Sequence, residues 1–299
     1  MKQLLAAALL LMLFSCGEDK VPYSDNNCKL VPPFVSRLGF SPRNAFFSTA
    51  EKRTAGLVLL EAGQGNTAGR RYQDSSWTKA GGLSAIQIDN RGNIFTVPAP
   101  FINVLNNKIN DQNTIYRVDG ETGIMNPFLR LPLPDSLSAD NPYGILGLAL
   151  LCETGSLYVS TVAGSDRLHE NGTLYAVSIA GGKTTDQLKG IDAIGLGIVY
   201  NDGERRLFFG KARTPEVWSV QLNKKGDFAG SARMECSLAG LGPRGDDKAR
   251  RIRSISEGVI EVNGTAFGFN LIAPTERQET VYRFVYDAAT KKWQPQLPG

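Results

Sequence analysis

Apolar residues in this chain come in short runs or in strict alternation, separated by clusters of Gly, Asn, Asp and Pro, with no sustained helical period after the first twenty residues. That is the signature of short β-strands joined by tight turns. The stretch Gly82–Asp119 shows the unit most plainly: an apolar strand, an Asp-Asn-Arg-Gly turn, a second strand, a long loop, and a third strand.

The unit recurs. Ile88-DNRG-Asn93-Ile94-Phe95, Leu150-Leu151-CETG-Ser156-Leu157-Tyr158, Val199-Tyr200-NDG-ERR-Leu207-Phe208 and Ile260-EVNG-Thr265-Ala266-Phe267 each set a Gly-containing turn between two strands, glycine supplying the positive φ such a turn needs. A third strand returns in every copy: Thr114–Val118, Thr173–Val177, Glu216–Val220 and Thr280–Phe284, with an aromatic at the same place, Tyr116, Tyr175, Trp218 and Tyr282. Fourth strands are expected over Asn126–Leu133 and Ala232–Leu238. A weaker copy precedes these, with strands at Leu38–Phe40, Ala45–Ser48 and Gly56–Glu61. First strands begin near positions 38, 83, 145, 194 and 254, a period that suits four short strands and their turns, the blade of a propeller. The pattern predicts an all-β chain folded as a single β-propeller of four-stranded blades: five are counted, and a sixth is left open. A β-sandwich would not repeat a four-strand order.

The sequence Asp-x-x-Gly-Asn-Ile-Phe followed by Thr-Ile-Tyr-Arg-Val resembles the blade consensus of the NHL and SMP-30/gluconolactonase class of propellers, which usually has six blades. The resemblance spans most of residues 38–299 as a degenerate pattern. It implies a fold, and in its lactonase members a divalent cation in the channel held by Glu, Asn and Asp. Two acidic residues here are candidates for such a Ca²⁺ site, Glu257 and Asp192, since oxygen ligands suit that ion. The same carboxylates could equally be paired structurally.

The first residues carry an address. Lys2 precedes an apolar run from Leu4 to Phe14, then Ser15 and Cys16. That run is an export signal, and too short to cross a membrane, which takes about 20 apolar residues. Leu13-Phe14-Ser15-Cys16 resembles the bacterial lipoprotein signal, in which the Cys becomes the first residue and carries the lipid. An ordinary cleaved signal is the alternative. The expected division is a signal peptide over 1–15, a lipidated Cys16 with a polar tether over 16–34, and a propeller over 35–299, held at the bacterial cell envelope by its lipid, on a periplasmic or surface face of the membrane. Three cysteines remain after processing. Export permits disulfides; Cys28 with Cys236 is the expected pair, because both lie in less apolar segments than Cys152.

Charge alters the picture little. Lys+Arg number 33 against 29 Asp+Glu, a formal +4, which argues against nucleic acid, whose partners concentrate a basic face. Loop lengths alter it more. First-to-second-strand turns are short, whereas Val97–Asn113, Thr161–Gly172, Asn270–Glu279, Pro134–Gly144 and Gly240–Arg253 are long, and in a propeller these long segments share one rim. Long loops on a rigid scaffold commonly carry function. That rim would hold Arg167 and His169 from one loop, Lys211 and Arg213 from another, and Arg250, Arg251 and Arg253 from a third. Guanidinium forks suit carboxylate or phosphate. An anionic small molecule, a glycan or another envelope protein is the expected partner; a solvated charged loop is the alternative. Catalytic motifs are sparse: His169 is the chain's one histidine and no G-x-S-x-G occurs, so no catalytic residue is assigned. The sequence therefore points to a membrane-anchored binding scaffold, with a divalent-metal-dependent lactonase or related hydrolase as the alternative.

Overall fold

The structure is a computed structural model that describes residues 30–51, 55–63, 69–99, 111–134, 141–269 and 278–296. It contains five antiparallel sheets in chain order. Blade 1 has three strands, β1 (Ala45–Ser48), β2 (Val58–Glu61) and β3 (Arg70–Tyr72). Blade 2 has β4 (Leu83–Ile88), β5 (Ile94–Pro98), β6 (Thr114–Val118) and β7 (Met125–Arg130). Blade 3 has β8 (Ile145–Leu151), β9 (Ser156–Thr161), β10 (Thr173–Ser178) and β11 (Lys183–Lys189). Blade 4 has β12 (Ala193–Asn201), β13 (Glu204–Lys211), β14 (Glu216–Leu222) and β15 (Phe228–Ser237). Blade 5 has β16 (Lys248–Ser256), β17 (Val259–Thr265), β18 (Thr280–Asp287) and β19 (Lys292–Pro295). Strands pair in sequence order within every sheet, and β4, β8, β12 and β16 pack on one another in turn as the inner strands. This is a β-propeller.

Local sequence explains the elements. In β8 every residue is buried, as expected where both faces of a sheet are covered by neighbouring blades. Odd and even positions of a strand serve opposite faces. Thus Leu148 and Leu150 join a cluster with Phe95 and Ile115 of blade 2, while Ala149 and Leu151 join one with Ile198, Leu207 and Phe209 of blade 4. Glycine lets neighbouring blades approach closely: a Cβ on Gly197 of β12 would lie 2.3 Å from the Ile252 carbonyl oxygen of β16, and one on Gly210 of β13 2.1 Å from that of Ala249.

Three features depart from the sequence reading. Residues 38–40 are not a strand; a short helix, α1 (Pro33–Arg37), precedes them with Pro33 in its first turn, a position where the missing N–H is no loss. Its Phe34 and Val35 pack with Trp77 between blades 1 and 2. In blade 5, Asn263-Gly264 is not a turn but lies inside β17, where Gly264 is required because a Cβ would meet the Tyr282 ring at 2.6 Å. The hairpin turn is Glu257-Gly258, with Gly258 at φ 68°. Residues 248–253, expected as the end of a rim loop, already belong to the inner strand β16 (Lys248–Ser256), which starts six residues earlier than expected.

The expected Cys28–Cys236 disulfide is not formed. Cys236 is a free thiol, 6% exposed, among Val217, Leu238 and Trp293 between blades 4 and 5. Burial pushes its pKa well above the usual thiol value. The bonded cysteine is Cys152, in the β8–β9 turn; the two cysteines that could pair with it, Cys16 and Cys28, lie outside the described residues. The polarity of neighbouring residues was a poor guide, because β15 alternates and directs Cys236 inward.

Candidate functional site

The loop joining β9 to β10 and the start of β12 meet on the rim that carries the long connections. Asp192, immediately before β12, has no exposed surface. Its carboxylate accepts a hydrogen bond from the Ser165 hydroxyl, one from the Gly172 amide at 2.9 Å, and one from Arg213 Nε at 2.8 Å. Burial raises its pKa, and the Ser165 and Arg213 contacts pull it back down. Arg213 also donates to the backbone carbonyls of Asp166 at 2.7 Å, Arg167 at 3.2 Å and His169 at 2.5 Å, and its guanidinium stacks over the Phe269 ring at 4.9 Å. One cation thereby fastens three carbonyls of the loop to a buried carboxylate.

The neighbouring cations are also engaged. Lys211 pairs with Glu170 at 2.5 Å, and Glu170 accepts the Asp192 amide at 2.8 Å. Arg167 Nε donates to the Phe269 carbonyl at 3.0 Å. Asp166 accepts from the amides of Leu168 and His169, both at 2.7 Å, and from His169 Nδ1 at 2.9 Å. These bonds, the His169 side chain's first, lower the Asp166 pKa to about 2. What the clamped loop presents to solvent is Leu168, 84% exposed, beside the His169 ring.

Arg167, His169, Lys211 and Arg213 therefore gather at one corner of the rim, as expected, and serve mostly to hold the corner together. The other three arginines do not join them. Arg250 is half-buried and donates to the carbonyls of Leu146 at 3.3 Å and Ile194 at 3.5 Å, bridging the inner strands of blades 3 and 4. Arg251 and Arg253 lie on the face of β16 turned away from blade 4. Strand register alternates faces, and Ile252 between them packs on blade 4. The charged run read as a loop is a strand with one wet face.

The two carboxylates proposed for Ca²⁺ do not meet. Asp192 precedes β12 on one rim; Glu257 is exposed in the β16–β17 turn on the opposite rim, beside the end of β12 at Asn201. Among the described residues no group of three His, Cys, Asp or Glu is placed to hold a metal ion. The donor set does not fit the cation that the lactonase resemblance implies. Near the start of the inner strands the structure instead assembles Tyr143, Leu146, Val162, Ile194, Ala212 and Phe269 into an apolar cluster. Sequence reasoning missed this cluster, because its aromatics lie in loop segments where no period marks them as buried.

No family model matches the sequence, and no curated protein matches it. Solved structures do. The Bacteroides ovatus Xyloglucan PUL GH43B structure matches at 12% identity and a TM-score of 0.44, over 73% of this chain and 40% of that one. The Dos1 propeller matches at 11% and 0.45, over 71% and 50%. A glucose dehydrogenase matches at 14% and 0.44, over 84% and 80%. The chain spans half or less of the first two structures. At such identity the likeness concerns the fold alone. By its own topology the chain is an all-β propeller of five blades.

Proposed function

We propose that the chain is a membrane-anchored, extracytoplasmic binding scaffold whose rim presents the clamped β9–β10 loop. The observation that carries this reading is the state of the rim's polar groups. The carboxylate and cations that could do chemistry are spent on one another and on backbone carbonyls, while Leu168 stands out on a loop fixed by Arg213 and Asp166. A rigid loop tip costs little ordering entropy on binding. Anchoring through Cys16, and a place in the bacterial envelope, rest on the lipoprotein-like signal.

Two measurements test the reading. Metabolic labelling with palmitate should mark the full-length chain and send it to the membrane fraction, and Cys16→Ser should abolish both. Millimolar Ca²⁺ should leave the Tm unchanged. A Ca²⁺-dependent rise in Tm that vanishes in Glu257→Gln would overturn the scaffold in favour of the metal-dependent hydrolase.

A further inference from the structure

Cys152 is disulfide-bonded, and the fold narrows its partner. Cys236 is a free thiol buried between blades 4 and 5, which leaves Cys16 and Cys28. Cys152 follows β8 as Asp89 follows β4: one turn reads Asp89-Asn-Arg-Gly, the next Cys152-Glu-Thr-Gly. Asp89 accepts the amides of Arg91 and Asn93, both at 2.8 Å, and so closes its own turn. Sulfur is a weak acceptor and does not replace that carboxylate, so blade 3 uses the position for something else. The Cys152 side chain packs on the cluster between blades 2 and 3, which includes Phe95 of blade 2.

The N-terminal segment runs toward that spot. The Phe34 amide donates to the Gly120 carbonyl at 3.2 Å in the β6–β7 turn, and the Leu30 amide to the Asp89 carbonyl at 3.4 Å in the β4–β5 turn. Between them a Cβ on Gly92 would meet Pro32 at 2.8 Å. Followed toward the N-terminus, the chain thus passes under blade 2 from its outer turn to its inner one, and Cys28 lies two residues before Leu30. Two residues span at most about 7 Å, and a disulfide joins Cα atoms roughly 4.4–6.8 Å apart. Together these cover the ~10 Å between sheets packed face to face. Cys16 lies farther back along the chain, and in the lipoprotein-like signal its sulfur carries the lipid. We propose that Cys152 is bonded to Cys28, and that this bond holds the chain's exit at the rim of short turns, so that the rim bearing the Leu168 loop faces away from the membrane. Every sheet is built of consecutive strands, so among the described residues no strand pairing ties the N-terminal segment to a later blade; the disulfide does so covalently. Its formation takes two electrons and two protons from the two thiols and passes them to the disulfide of an oxidant in the exported compartment, which becomes a dithiol. As a flexible coil the tether back to Cys16 spans about 20 Å r.m.s.. That is less than the ~30 Å length of a nine-residue strand such as β12, so the lipid stays on the short-turn side. The orientation rests on the scaffold reading; the bond does not.

The bond is tested by peptide mapping of the full-length chain, purified from cells without reductant and digested with trypsin after its thiols are blocked. The expected result is peptide 21–29 joined to peptide 131–167, the two separating on reduction. In Cys28→Ser, Cys152 should become alkylatable in denaturant without reductant. Linkage of Cys152 to Cys16 or Cys236, a free Cys152, or a Cys152 still protected in Cys28→Ser would overturn the bond. The orientation is read with bimane at Glu257→Cys or at Leu168→Cys, on the lipidated chain in phosphatidylcholine vesicles with nitroxide on the headgroups. Quenching should be at least about twofold stronger at 257, the site nearer the membrane, given the ~30 Å from rim to rim. Equal quenching, or more at 168, would overturn the orientation. If palmitate does not label Cys16, the anchored-scaffold reading and the orientation both fail, while the mapping still decides the bond.

Discussion

Blades 3 and 5 share one strand order and differ in what surrounds them. In β10 of blade 3, Thr173 to Val177 are all buried. In β18 of blade 5, Tyr282 and Phe284 are buried while Val281, Arg283 and Val285 are exposed. The residues follow suit. Blade 3 spends apolar side chains on both faces, TLYAV, whereas blade 5 alternates, TVYRFVYD, with Arg on the open side. A blade's neighbours are thus written into its strands: a continuous apolar run marks two covered faces, and alternation marks one. In the same way, β1 of blade 1 has its Phe46 51% exposed and its Phe47 packed toward blade 2.

The largest effect should come from the covered side of the comparison. Phe208 of β13 is 1% exposed and meets Trp293 edge-on at 5.7 Å between blades 4 and 5. Phe208→Ala should cost about 3–5 kcal/mol in urea unfolding, because the cavity is only partly filled by relaxation. Arg213→Ala should cost a similar ~3–5 kcal/mol, since it strands the buried Asp192 carboxylate without its cation. Asp192→Asn together with Arg213→Ala should recover part of that loss, which a double-mutant cycle would show.

A smaller, local effect should follow pH. Hydrogen bonds from His169 and Leu168 lower the folded-state pKa of Asp166 to about 2 from 3.8. A depressed carboxylate contributes order that is complete above its ordinary pKa and lost as pH falls through the folded one. The amide signals of Leu168 and His169 should therefore shift in NMR spectra as pH drops from about 4 to about 2, ahead of those in β8. The smallest effect belongs to the open face: Val281→Ala should change stability by no more than about 0.5 kcal/mol. A cost comparable to that of Phe208→Ala would mean that something in the chain covers this face.

Much of this architecture is legible in the sequence because each blade repeats a packing need. The aromatic of the third strand, as in Tyr175 and Tyr282, fills the space between neighbouring sheets, so spacing alone located β6, β10, β14 and β18. Errors fell where one residue type serves two purposes. Asn263-Gly264 has the chemistry of a turn, but here the glycine makes room for Tyr282. The run KARRIRSIS has the charge of a loop, but Ala249 and Ile252 pack on blade 4 while Arg251 and Arg253 take the open side. The rim corner was legible as a collection of charges and not as a network, because the pairing of Asp192 with Arg213 depends on how two blades meet.

The open face of blade 5 is tested most directly by thiol accessibility. Val281→Cys and Val262→Cys place a thiol on opposite faces of the same sheet, with the native buried Cys236 as an internal control. Maleimide should label position 281 of the native protein nearly as fast as the unfolded chain, and leave 262 and 236 unlabelled until denaturant is added. Equal protection at 281 and 262 would contradict the account, because it would mean that both faces of the last blade are covered.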